Sequence, residues 1–167
     1  MSSPVAPLPA DRDAPAPAEP ADDVAAFYQS ADALCRCAAE CWRQHERVAH
    51  LHRIGALAAE QRAARTLVAL CDEALADLAG AYEQAAGRAH PPRDDAAWHA
   101  ANGLWLASRE FARRTRTSAR AGRSMGDQGE RARLTELALD YDLEASALLL
   151  LKQAAEAYRR ARPEVGE

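Results

Sequence analysis

The stretch "LHRIGALAAEQ", residues 51–61, decides how the chain folds, because the apolar repeat changes frame within it. Upstream, Val24, Phe27/Tyr28, Ala31, Leu34/Cys35, Ala38, Cys41, His45 and Val48 recur at three- and four-residue spacing, the mark of an amphipathic helix. Downstream the row is Leu57, Ala64, Leu67/Val68, Cys71, Leu75, Leu78 and Tyr82. Carrying the first frame forward would turn Thr66 and Glu73 inward and leave Leu67, Cys71 and Leu78 outside, so two helices are expected. Gly55 stands at the break, and glycine takes the left-handed conformation that ends helices at no steric cost. A turn is therefore expected at residues 53–56. No Ser, Thr, Asp or Asn caps the second helix, and one long kinked helix is the competing reading.

The same spacing extends to the rest of the chain. After Pro91-Pro92 a third helix starts with Asp94 and Asp95 and carries its arginines late, as the helix dipole favours. Asp127 and Glu130 resemble a capping box for a fourth helix. Its inward row is Leu134, Leu137/Ala138, Tyr141, Ala145, Leu148, Leu151, Ala155 and Tyr158, with Glu144 flanking it. Helices over 22–53, 57–89, 93–123 and 128–162 would each run about 45 Å at 1.5 Å per residue. Short connections make sequential neighbours antiparallel, which predicts an all-α, up-down-up-down four-helix bundle over 22–162. Residues 1–21 hold six of the nine prolines and no apolar period. They are expected to be a disordered tail acting as a spacer, or alternatively as a docking segment, with residues 163–167 a flexible C-terminus.

Composition agrees with helix. The 167 residues are 49% apolar, much of that alanine, and only 5% aromatic, which suits helices and starves strands. A net charge of −4 disfavours a nucleic-acid partner. No basic start precedes an apolar run, and the apolar block Leu148–Leu151 is cut short by Lys152. No membrane and a cytoplasmic location are expected, with the four cysteines serving as thiols or metal ligands.

Two constellations stand out. Cys37, Cys41 and His45 lie at i, i+4 and i+8 along one helix face. If the chain doubles back at Gly55 with equal rise in both helices, Cys71 arrives level with about residue 38. Three thiols and an imidazole would suit Zn or Cu, if any cofactor is bound. The plainer reading is core packing, since cysteine serves well as a small hydrophobe and the spacing is that of no common zinc module. The row resembles the inward C-x3-C pairs of copper-storing four-helix bundles, but those carry many pairs and this chain has one. Membership of that family does not follow.

The second constellation is a ridge of Arg109, Arg113, Arg116, Arg120 and Arg123, with Arg114 beside it. It would either pair with acids on the fourth helix, such as Glu136, Asp140 and Asp142, or meet an acidic partner. Trp98 and Trp105 are expected to anchor the third helix in the core; with Tyr141 they could instead line a small-molecule pocket. Glu46/His50 and Asp95/His99 are i, i+4 pairs rather than the Glu-x-x-His of di-metal bundles. No phosphate loop or nucleophile motif occurs, so no catalytic residue is named and the expectation leans away from an enzyme. A non-enzymatic bundle acting in protein association, as a homo-oligomer or through an acidic protein partner, is the primary expectation. A metal-binding or thiol-sensing bundle using Cys37, Cys41, His45 and Cys71 is the alternative.

Overall fold

The computed structural model describes residues 20–89, 95–121 and 130–162. It contains helices α1 (Pro20–Arg53), α2 (Ala58–Ala86), α3 (Ala96–Ala121) and α4 (Glu130–Ala161), and no strand among the described residues. The tail over residues 1–19, the two later connections with Pro91, Pro92 and Asp127, and residues 163–167 lie outside the described residues. Pro20 and Ala21, expected in the tail, belong to α1 instead; proline is tolerated in a first helical turn because its missing N–H has no intrahelical partner there.

The turn falls where the frame breaks. Gly55 has φ 65°, and it is the one positive-φ glycine among the described residues. The N–H of Ala56 bonds to Leu51 O at 3.0 Å and that of Gly55 to His52 O at 3.2 Å. These two bonds are a Schellman motif, which satisfies the last carbonyls of α1 and reverses the chain. The start of α2 has no side-chain cap on its N-cap residue, Leu57. Gln61 braces it instead, its Nε2 donating to Ala56 O at 2.9 Å.

Contacts fix the directions of the helices. Cys35 meets Ala155 and Asp32 meets Tyr158, so a step back along α1 is a step forward along α4 and the pair is antiparallel. Tyr28 meets Asp95 and His45 meets Phe111, so α1 and α3 run parallel across the diagonal. This is the up-down-up-down four-helix bundle.

The core mixes alanine, its commonest residue, with a small set of large side chains. Phe27, Leu34, Leu75, Tyr82, Leu104, Phe111, Leu151 and Tyr158 are its bulky members. Each contributes on the order of 1.5–3 kcal/mol by leaving water. Small residues between them let the helices approach closely. Trp98 and Trp105 pack against this core as expected.

Three expected inward positions are corrected. Leu57, the residue before α2, is 72% exposed, and Leu67 is 41% exposed because α2 turns Ala64 and Val68 towards the core instead. On α4, Ala145 is exposed while Ala147 and Leu151 are buried. Glu144, half-buried, therefore lies nearer the core than Ala145. Alanine carries too little hydrophobic signal to decide between adjacent helical frames.

Candidate functional site

The α1–α2 hairpin brings Cys37, Cys41 and Cys71 together. The Cys37 thiol donates to Cys71 O at 3.8 Å, so the register expected from equal helical rise holds. Cys41, fully buried, lies one helical turn beyond Cys37 on the same face. Cys37 and Cys71 are partly exposed. The three sulfurs are not equivalent. The hydrogen bond from Cys41 lowers the Cys37 pKa. That same bond, followed by burial, raises the Cys41 pKa and keeps it a thiol. Burial chiefly raises Cys71. The row thus sets a partly exposed thiol, Cys37, beside a buried one, Cys41.

His45 completes the row along the sequence, yet it takes other partners. Its Nε2 lies 3.2 Å from Asp72 Oδ1, and its ring stands edge-on to Phe111 with centroids 5.4 Å apart. Asp72 was not singled out from the sequence, although the same register places it level with Cys37. Among the described residues no group of three or more His, Cys, Asp or Glu side chains is arranged to hold a metal ion. Cys35, the fourth cysteine, points the other way and donates to Ala155 O at 3.6 Å.

On α3, Arg109, Arg113 and Arg114 are matched with acids on α2 and α3. Arg113 binds Glu110 through Nε at 2.8 Å and Nη2 at 2.7 Å, and Arg114 Nε binds the same carboxylate at 2.7 Å. These bonds hold the Glu110 pKa down at about 2. Arg109 lies 3.8 Å from Glu83 of α2 and stacks over Trp105 at 5.2 Å. The side chains of the expected α4 acids Glu136 and Asp140 lie outside the described residues, as do those of Arg120 and Arg123. Arg109, Arg113 and Arg116 line a groove of about 690 Å³ between α2 and α3. The side chain of Tyr141, third member of the expected aromatic pocket, also lies outside the described residues.

A polar cluster that no local spacing announces sits where α1, α3 and α4 meet. Tyr28 donates to Asp95, Tyr158 donates to Asp32 at 2.5 Å, and Arg162 stacks over Tyr28 at 4.3 Å with its Nε 3.3 Å from Asp32. The two tyrosine hydroxyls are satisfied by carboxylates, while Arg162 Nε is held near Asp32 by charge without a hydrogen bond, an arrangement that ties the three helix ends together.

The exposed face of α3 and α4 carries leucines. Leu106 is 59% and Leu150 is 55% exposed, with Leu139 and Leu149 also outside. Between the first two lies a groove of about 480 Å³ lined by Gly103, Ala107, Ala147 and Ala154, with Glu110 and Gln153 its polar members. No helix among the described residues is long and apolar enough to cross a membrane. The chain matches no family model, no curated protein and no solved structure.

Proposed function

We propose that this protein is a non-enzymatic helical bundle that acts by association, and that its first partner is a second copy of itself. The α3–α4 face supports this reading. Leu106 and Leu150 stand out as knobs, while Gly103, Ala107, Ala147 and Ala154 leave a hollow between them. A patch holding both knobs and hollow is self-complementary about a two-fold axis, where each copy's leucines enter the other's groove. Exposed leucines grouped in this way are more than the scattered apolar residues of an ordinary surface. Charge does not oppose the contact, because the acid in the groove, Glu110, carries Arg113 and Arg114 with it. The same pairing weakens the ridge as a dock for an acidic partner.

Sedimentation velocity over a wide concentration range tests the proposal. The wild-type chain is expected to pass from monomer to dimer as concentration rises. The double variant Leu106→Glu/Leu150→Glu is expected to remain monomeric with unchanged helical circular dichroism. Arg116→Glu, at a residue outside this groove, is expected to leave the dimer intact. A wild-type monomer at every concentration, or a dimer indifferent to the leucine changes and lost with Arg116→Glu, would overturn this reading.

A further inference from the structure

We propose that Cys37 and Cys71 form a reversible disulfide across the α1–α2 hairpin when a hydroperoxide oxidises Cys37, with Cys41 as the buried thiol that holds the reacting sulfur. This stands apart from the association reading and rests on different residues.

Geometry selects the pair. Cys37 and Cys41 are four apart on one helix, where Cβ atoms sit about 5–6 Å from each other. A disulfide needs about 3.5–4.5 Å, so an intact α1 cannot join these two. The bond must cross to α2, and the Cys37 sulfur already lies against the backbone of Cys71 at 3.8 Å. Solvent access selects the same pair. Cys37 and Cys71 are partly exposed while Cys41 is sealed, so an oxidant can enter and water can leave at those two sulfurs.

The chemistry closes in two steps. The Cys37 thiolate attacks the terminal oxygen of the hydroperoxide; the S–O bond forms and the O–O bond breaks. The alkoxide released takes a proton from water, leaving Cys37 as a sulfenic acid. The Cys71 sulfur then attacks the Cys37 sulfur. The S–S bond forms and the S–O bond breaks, and the departing hydroxide leaves as water with the Cys71 proton. Two thiols lose two electrons and the hydroperoxide is reduced to an alcohol, or to water for hydrogen peroxide itself. A low-molecular-weight dithiol reverses the bond by exchange. The lowered pKa of Cys37, set by its bond from Cys41, favours the first step.

One equivalent of hydrogen peroxide added to the reduced full-length chain, followed by alkylation and peptide mass mapping, tests this. An intramolecular link is expected between the tryptic peptides 37–43 and 66–88, removed by dithiol. It is expected to be lost in Cys37→Ser and in Cys71→Ser, and kept in Cys41→Ala. Fragmentation of the wild-type linked peptide is expected to place the bond on Cys37, a readout that holds even if Cys41→Ala fails to fold. A link that survives Cys37→Ser, a bond mapped to Cys41, or thiols that stay reduced or advance to sulfinic acid without linking would each overturn the proposal.

Discussion

Replacing Phe27 with alanine is expected to destabilise the bundle by about 3–5 kcal/mol, the usual cost of removing a fully buried phenylalanine from a packed core. Phe27 is completely buried and packs against Tyr28 and Tyr82 with ring centroids 5.0 and 5.1 Å away. About half of the buried apolar residues are alanines, which contribute little apolar area apiece. The few bulky residues therefore carry a large share of the hydrophobic stabilisation, and the short alanine side chains cannot collapse into the space left behind. For a chain of this size, that loss lowers the melting temperature by roughly 10 °C. Thermal and urea unfolding followed by circular dichroism measure it. A loss below about 1 kcal/mol would mean the core is not organised around this ring.

The Asp95→Ala variant is expected to cost about 2 kcal/mol at neutral pH and much less in acid, since one carboxylate serves two elements. Asp95 caps α3, its Oδ1 accepting from the N–H groups of Ala97 at 2.8 Å and Trp98 at 3.3 Å. It also accepts the hydroxyl of Tyr28 on α1. Burial, then the neighbouring carboxylate, push the Tyr28 pKa up to about 12, so the phenol remains a donor throughout. The bond from Tyr28, helped by the two backbone N–H groups, holds the Asp95 pKa below its ordinary value. A depressed folded-state pKa gives stability that is fully present above the unfolded value, about 3.9. That stability is lost as pH falls from there through the folded value. The wild-type advantage over Asp95→Ala should accordingly shrink in that window. Urea unfolding of both proteins at pH 7 and pH 3 checks the sign. A difference that is the same at both pH values would show that the ionised carboxylate is not what joins α1 to α3.

Much of this architecture can be read from the residues themselves, and the exceptions have physical causes. The turn at Gly55 is legible because two apolar rows fall out of phase around one glycine. The meeting of Cys37 with Cys71 follows from that turn and equal helical rise. The pairing of His45 with Asp72 is less legible, since His45 also packs on Phe111, and only the diagonal approach of α3 brings that ring there. Glu110 with Arg113 and Arg114 was available from i, i+3 and i, i+4 spacing. The frame of α4 was misjudged at Glu144 and Ala145, where alanine neighbours blur the helical period. The clamp of Tyr28, Asp32, Asp95, Tyr158 and Arg162 depends on how three helix ends come together, which no local pattern encodes.

Everything proposed for the thiols depends on α1 and α2 lying side by side. Nitroxide labels attached through Arg36→Cys and Glu73→Cys, in a chain whose four native cysteines are replaced by alanine, measure this directly by pulsed electron spin resonance. Packed helix axes lie 8–10 Å apart, so a hairpin predicts a label separation under roughly 25 Å. A separation near 55 Å, about the rise of a straight helix between these two positions, would contradict the account.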